Sequence, residues 1–540
     1  MPNTKPDPKR KKTINEYKSH TVPNSPSPKI PVLESIPSAQ QFFNDFIRPR
    51  KPVKFTVSPI IKSENFTIAN LETTLDYDSE LQVEKKYEAG FGSGQKRVKM
   101  ALRELVDEIK AGNDGYYLTT QYDFDGPDAV EEDNDDDEDE LEDFGVLGNE
   151  DGEEEGPGLF DKFSETSSMP DISNLHDDFE DDFEQDIIQG MPIPEIRSRI
   201  RELYQPPLTN LVHSPEILPT IPDLFSSLIP QQINIWMGST SPGENQFAID
   251  PKDEKLGLGK QLPGKIKGTS SGLHHDHADN LYVPISGRKR FTLFSPADAL
   301  KLSTVGEIRK IYNSGIIDYE PNENAVGWRS LRDDGAMVEE IIRWKLDSLE
   351  EEEQSEERRK LLEELQWMIK NRKSAKKSEE KRDPPSFSKI PPALLHLDDI
   401  EDVKTKNKIV KFAEEHFPGF LELNKYVVWL EPGEMLYLPA GWFHEVSSFA
   451  SSEGSNNVKD RAHIAINYWF IPPNSDEFKK CYSDSYWTED WERTQKAIDL
   501  VRAGEVYLND DQEEEGSDEE NYGDDGDNED KEDDDQGDDE

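Results

Sequence analysis

Residues 273–282, LHHDHADNLY, contain three histidines and two aspartates. The whole chain has only ten histidines in 540 residues. The cluster is therefore a metal site, a His-rich surface loop or part of a tag-like low-complexity tract. His274 and Asp276 lie two positions apart, so on an extended segment their side chains project to the same side. This spacing suits two ligands of one metal ion.

A third ligand has to come from elsewhere in the chain, and the candidate is His444 in residues 431–448, EPGEMLYLPAGWFHEVSS. Two imidazoles and one carboxylate form a facial triad that leaves three positions open on Fe(II). An H-x-D pair alone is weak evidence, because it is common as a surface ion pair. His275 and His277 are expected to be polar neighbours rather than ligands, because alternation turns His275 away from His274.

Lys289 strengthens the metal interpretation. It begins a predicted strand in which Lys289, Phe291 and Leu293 share one face. A lysine that points into an apolar barrel is an unpaired buried charge unless an anion meets it. A bound dicarboxylate would supply that anion.

Three segments together resemble the JmjC (jumonji-C) and cupin-like family of Fe(II)- and 2-oxoglutarate-dependent oxygenases. They carry H-x-D, G-x-K and P-A-G-W-x-H in that order. The segments are 269–296, 431–448 and 466–470 (INYWF). Within the family the chain most resembles the JmjC-only branch of small protein hydroxylases, in particular lysyl hydroxylases of the jumonji-domain-containing protein seven type. The resemblance covers residues 33–121, 191–302 and 385–475.

The resemblance implies a mostly β fold, a double-stranded β-helix (jelly-roll or cupin) core with flanking helices. It implies that His274, Asp276 and His444 bind iron. It also implies that 2-oxoglutarate and O2 are co-substrates and that succinate and CO2 are released. Lys289 would bind the distal carboxylate of 2-oxoglutarate. The other residues matching co-substrate or metal-neighbouring positions are Asn280, Tyr117, Asn467 and Ser271; alternatively, Asn467 is a buried hydrogen-bonding residue.

Composition divides the chain into folded and solvated parts. Hydrophobic residues are 33% and charged residues 33%, with a formal net charge of −53, which is too acidic for every segment to bury a core. The predicted parts are a disordered basic, Pro/Ser-rich N-terminus (1–31), N-terminal helices and strands (32–123), an acidic disordered insertion (124–190), the catalytic core (191–480) with a charged helical insertion (about 330–385), a C-terminal helix (481–508) and an acidic disordered tail (509–540).

Local patterns predict individual elements. Ser38 precedes a short helical pattern. Residues 95–112 predict one helix with an apolar face that includes Val98 and Leu102. Pro284 cannot donate a ladder hydrogen bond, so its strand is expected to be bulged or at an edge. The charged stretch 337–382 predicts a helical hairpin or a long surface helix.

The single cysteine, Cys481, cannot form an internal disulfide, and a reducing compartment is expected. The start of the chain has no apolar signal region, and no apolar run is long enough to span a bilayer. We therefore expect a nuclear or cytoplasmic protein that is neither secreted nor membrane-bound. The basic residues 9–12, KRKK, are either a nuclear import signal or part of a solvated end.

The leading functional prediction is a protein hydroxylase that modifies a side chain, with lysine as a candidate. A histone lysine demethylase of the same chemistry is the first alternative, but one cysteine is too few for the zinc-based reader modules of multidomain demethylases. The second alternative is a non-catalytic acidic scaffold whose barrel is structural. The negative charge favours a basic protein partner, such as a histone, ribosomal or translation-associated protein, and disfavours direct nucleic-acid binding.

Overall fold

A computed structural model describes residues 13–86, 90–91, 97–121, 187–241, 243–325, 328–349, 355–371, 383–451 and 457–508. The basic residues 9–12 and the predicted acidic tail lie outside the described residues. So does the predicted acidic insertion, except for its last residues, 187–190. Within the described ranges, no helix combines the length and the hydropathy needed to cross a bilayer.

Two β-sheets form the centre of the molecule. Among the described residues, the large sheet has nine strands in the order β2-β3-β16-β11-β18-β9-β6-β4-β5, and the small sheet has four in the order β10-β17-β12-β15. The strands are β1 (Ile14–Asn15), β2 (Val32–Leu33), β3 (Val53–Phe55), β4 (Glu80–Lys85), β5 (Arg97–Ala101), β6 (Tyr116–Leu118), β7 (Ile187–Ile188), β8 (Met191–Pro192), β9 (Pro230–Ser239), β10 (Gly268–Ser270), β11 (Asp279–Ser286), β12 (Arg288–Phe294), β13 (Ile308–Ile311), β14 (Ile317–Tyr319), β15 (Tyr426–Leu430), β16 (Met435–Leu438), β17 (Phe443–Phe449) and β18 (Ala462–Phe470).

The helices flank these sheets. The α-helices are Ala39–Phe42, Leu71–Thr74, Leu102–Ala111, Ile193–Leu203, Val338–Asp347, Glu356–Asn371, Pro392–Leu395, Val403–His416, Val458–Arg461 and Tyr486–Arg502. A π-helical turn spans Phe43–Ile47, and 3-10 turns span Ser63–Phe66, Thr209–His213, Asp223–Phe225, Pro296–Lys301, Leu397–Asp399 and Phe420–Glu422. Ser38 caps the first helix, accepting a hydrogen bond from the amide of Gln41, as the sequence predicts.

Strand β18 shows how alternation builds the layers. Ile464, Ile466 and Tyr468 join the core between the large sheet and the helices. Ala465, on the opposite face, packs in a second cluster with residues of both sheets, including Phe291 and Val446. Side chains on the inner faces of two sheets therefore share one interior, which is the arrangement of a β-sandwich. The predicted jelly-roll core with flanking helices is confirmed.

A third hydrophobic cluster lies outside the small sheet. It contains Phe294 and Phe443 from that sheet, Ile317 from β14, and Leu394 and Ile409 from the segment that follows the helical insertion. The part of the chain between β12 and β15 therefore adds a layer that packs against the small sheet.

Pro284 lies at a register shift between β11 and β18, so the predicted bulge is confirmed. The charged insertion forms two helices, Val338–Asp347 and Glu356–Asn371, and the guanidinium of Arg358 donates to the carbonyl of Leu346 at 3.1 Å. Of the two predicted alternatives, a helical hairpin and one long surface helix, this contact agrees with the hairpin.

Two predictions are corrected. The single helix predicted over 95–112 begins at Leu102, because Arg97–Ala101 pairs with β4 as strand β5. The disordered N-terminus predicted over 1–31 is wrong for residues 13–31. There, β1 pairs with β13 and Tyr17 is buried, with its hydroxyl donating to the carbonyl of His20 at 2.9 Å.

Candidate active site

Backbone pairing brings the two histidine ligands of the predicted triad together. The antiparallel pair β10–β17 continues to His274 and His444, whose amides donate to each other's carbonyls at 3.0 and 2.7 Å. Their ring centroids lie 4.3 Å apart. Asp276 Oδ2 lies 3.6 Å from His444 Nε2. One nitrogen from each histidine and one carboxylate oxygen all lie within 4.8 Å of one another, so one ion can contact all three.

The main chain fixes the tautomer of both histidines. Nδ1 of His274 donates to the carbonyl of Gly272 and Nδ1 of His444 donates to the carbonyl of Trp442, each at 3.0 Å. Each Nε2 therefore keeps its lone pair for a metal ion, and such outer bonds hold the ring in place. Burial, with His444 as the next cause, lowers the pKa of His274 to about 4, so this imidazole is neutral at pH 7. The donor set fits Fe(II).

Lys289, on β12 of the small sheet, is fully buried. Its ammonium donates to the Tyr117 hydroxyl at 3.2 Å and to the Ser448 hydroxyl at 2.7 Å. Burial and then the nearby Lys86 lower the pKa of Lys289 to about 7. Both hydroxyl partners are neutral, so the ammonium fits the carboxylate of a dicarboxylate ligand.

Tyr117 and Lys289 were both predicted as co-substrate residues, and the structure brings them together. Tyr117 comes from β6 of the large sheet and Lys289 from β12 of the small sheet. Phe91 stacks on the Tyr117 ring, with centroids 3.8 Å apart. Ser448 was not predicted from the sequence. Ser448 follows His444 by four residues on β17, so the two side chains lie on the same face of this strand. The backbone of Ser448 pairs with that of Lys289.

The predicted asparagines also meet. Asn467 Nδ2 donates to Asn280 Oδ1 at 3.4 Å, and the indole nitrogen of Trp236 donates to Asn467 Oδ1 at 2.8 Å. Trp236 was not predicted. It could have been recognised from its place on β9, which pairs with β18 and presents Trp236 on the same face as Asn467. This chain of hydrogen bonds fixes the two carboxamides on the neighbouring strands β11 and β18.

Ser271, His275 and His277 have main-chain or aromatic partners. The Ser271 hydroxyl donates to the carbonyl of Gly272 at 2.8 Å and accepts from the amide of Val446 at 3.0 Å, so it joins β10 to β17. His275 Nε2 contacts the Tyr319 hydroxyl at 2.5 Å and His277 Nε2 contacts the carbonyl of Ile317 at 3.1 Å. Both histidines are therefore directed toward β14, outside the triad.

A distant segment covers the first ligand. The Phe387 ring stacks on the His274 ring, with centroids 4.9 Å apart and planes 12° apart. The amide of Ser388 donates to the carbonyl of Leu273 at 2.8 Å. Lys260 Nζ lies 5.4 Å from the centroid of the Phe387 ring and donates to the carbonyl of Ser271 at 3.1 Å. No local pattern predicts these contacts, because Lys260, Phe387 and His274 come from separate parts of the chain.

The fold and this site agree with the protein family that sequence comparison identifies. The sequence profile of the cupin-like domain matches residues 39–476, so the chain belongs to the cupin-like family. The JmjC domain-containing protein 4 of Schizosaccharomyces pombe is 28% identical over 550 aligned positions, which cover 91% of this chain and 95% of the relative. Both findings support the JmjC superfamily, whose members generally are oxygenases that use Fe(II) and 2-oxoglutarate. The hydroxylase branch stays a prediction.

Proposed function

We propose that the chain is an Fe(II)- and 2-oxoglutarate-dependent oxygenase that hydroxylates a side chain of a protein substrate, with lysine as the candidate residue. The observation that carries the proposal is the combination of the triad, with its ligand atoms within 4.8 Å, and a fully buried Lys289. A metal triad without an anion site would suit many chemistries. The additional buried ammonium favours a dicarboxylate co-substrate.

Each group has a defined task in this proposal. His274, Asp276 and His444 hold iron, and Lys289, Tyr117 and Ser448 bind the distal carboxylate. When bound, iron and 2-oxoglutarate supply the oxidative chemistry that inserts one oxygen atom of O2 into a C–H bond, with release of succinate and CO2. The Nδ1–H bonds to Gly272 and Trp442 hold the imidazoles in the ligand orientation.

The protein also shields the site from water. Phe387 covers one face of His274, and Phe91 covers the ring of Tyr117. Both phenylalanines are buried. Exclusion of water strengthens the interaction of Lys289 with a carboxylate and limits side reactions.

A basic protein is the proposed partner. The net charge of −53 would attract a positively charged protein and repel nucleic acid. Hydroxylation is favoured over demethylation because the chain has one cysteine and therefore cannot form the zinc-based reader modules that usually accompany demethylases.

Mass spectrometry of candidate basic proteins tests this function. Each protein is incubated with the iron-loaded enzyme, 2-oxoglutarate and O2, with Asp276→Ala as the matched control. The proposal expects a side chain that gains one oxygen atom only with the unchanged enzyme. Loss of a methyl group from a methyl-lysine would instead establish the demethylase alternative. Co-substrate binding without any turnover on these substrates would favour the scaffold alternative.

A further inference from the structure

Arg50 and Asp279 form a buried ion pair beside the triad. The side chains of Arg50 and Asp279 are 3% and 0% exposed. One guanidinium nitrogen of Arg50 donates to Asp279 Oδ2 at 3.0 Å, and the other contacts Oδ1. Arg50 precedes β3 in the N-terminal part of the chain, whereas Asp279 begins β11, three residues after the ligand Asp276.

We propose that Arg50 and Asp279 are positioning residues that set the metal affinity of the site by fixing the loop that carries Asp276 and the turn that precedes His444. This inference rests on the proposed function. Neither residue belongs to the triad, and neither was singled out by the sequence motifs.

Asp279 fixes the turn that precedes His444. Besides Arg50, its carboxylate accepts from the Tyr437 hydroxyl at 2.7 Å and from the amide of Ala440 at 2.9 Å. The next amide in the turn, that of Gly441, donates to the carbonyl of Asp276 at 2.8 Å. The loop that carries Asp276 and the turn that leads to His444 are therefore joined at two adjacent amides.

Arg50 reaches His444 through its main chain. Its carbonyl accepts from the indole nitrogen of Trp442 at 3.1 Å, and the carbonyl of Trp442 accepts from His444 Nδ1 at 3.0 Å. The position of Arg50 thus determines where the acceptor for this imidazole lies. Such outer bonds commonly change metal affinity by about 10- to 100-fold when they are removed.

The backbone of Arg50 supports a geometric role. Its φ is 56°, in the left-handed region that a residue with a Cβ rarely adopts, and such a conformation persists only where the surrounding structure holds it. Arg50 Nε is buried and has no hydrogen-bond partner among the residues that the structure describes. A buried ion pair is often no more stabilising than apolar side chains of similar volume. The arrangement is therefore better explained by placement of the loops than by stability alone.

Metal binding by matched variants tests the inference. Mn(II) dissociation constants are measured by electron paramagnetic resonance for the full chain and for Arg50→Lys and Asp279→Asn, and each unfolding midpoint is measured in parallel. Lysine keeps the positive charge but cannot form a bidentate hydrogen bond to a carboxylate. Arg199→Lys is the control, because Arg199 is 2% exposed and paired with Glu195 and Asp490 in the helical layer.

The proposal expects about a 10- to 100-fold weaker Mn(II) affinity in both site variants, with a changed Co(II) absorption spectrum. Arg199→Lys should bind Mn(II) as the unchanged chain does, even if its unfolding midpoint falls equally. Unchanged affinity in folded Arg50→Lys and Asp279→Asn, or an equal loss in Arg199→Lys, would overturn the positioning role. Failure of the unchanged chain to bind Mn(II) would instead contradict the proposed function.

Discussion

The titration of Lys289 is expected to control the affinity for 2-oxoglutarate. Its pKa is lowered to about 7 by burial and by Lys86, so the free protein loses this positive charge as the pH rises above about 7. A carboxylate bound against Lys289 stabilises the ammonium and raises its pKa. Binding of 2-oxoglutarate above pH 7 therefore requires uptake of a proton, and the affinity falls as the pH rises.

The size of the effect follows from the pKa. Lys289 has a pKa of about 7 in the free protein and is taken to stay protonated in the complex. The dissociation constant then exceeds its low-pH value by the factor 1 + 10^(pH − 7). This factor is about 1.1 at pH 6 and about 33 at pH 8.5. The affinity should therefore weaken roughly 30-fold between these pH values, which corresponds to about 2 kcal/mol.

Calorimetric titration of Mn(II)-loaded protein between pH 6 and 8.5 measures this dependence. Repetition in buffers of different ionisation enthalpy gives the number of protons taken up. Lys289→Met should bind weakly and without this slope. Lys86→Met should move the slope to higher pH, because it removes a neighbouring positive charge. An affinity of the unchanged protein that stays constant over this pH range would refute the assigned role of Lys289.

Three further predictions concern other residues. Asp276→Ala should abolish turnover and weaken Mn(II) binding at least about 100-fold while the circular dichroism spectrum is unchanged; wild-type turnover in this variant would remove the triad assignment. Trp236→Phe should lower the free energy of unfolding in urea by about 1–3 kcal/mol and weaken 2-oxoglutarate binding, because Asn467 Oδ1 loses its donor; unchanged stability and binding would argue against this hydrogen-bond chain. Deletion of 124–186 and 509–540 should leave the affinity for 2-oxoglutarate within about twofold of that of the unchanged chain. A deletion variant that binds neither a basic protein partner nor 2-oxoglutarate would contradict an independent catalytic domain.

The sequence predicts the site best where the chemistry is local. His274 and Asp276 are close in sequence, and the extended chain alone places both on one side. Lys289 is recognisable because alternation aims it inward with Phe291 and Leu293. The bulge at Pro284 follows from one missing amide hydrogen. Each of these features depends on a few neighbouring residues.

Features that depend on tertiary pairing could not be predicted in this way. Residues 97–101 were assigned to a helix because their apolar spacing suits one, but hydrogen bonding to β4 outweighs that local preference. Tyr17 gave no periodic signal; it follows the strand that pairs with β13 and is buried in the hydrophobic cluster outside the small sheet. Phe387 and Arg50 reach the triad from distant parts of the chain, and no spacing rule connects them to His274 or His444.

The central claim is that the triad and Lys289 form one site for a metal ion and 2-oxoglutarate. Anaerobic calorimetric titration of 2-oxoglutarate into the Mn(II)-loaded protein tests it most directly, because no knowledge of the protein substrate is needed. Micromolar binding that is lost in both Asp276→Ala and Lys289→Ala is expected. Absence of binding in the unchanged protein, or binding that survives in both variants, would contradict it.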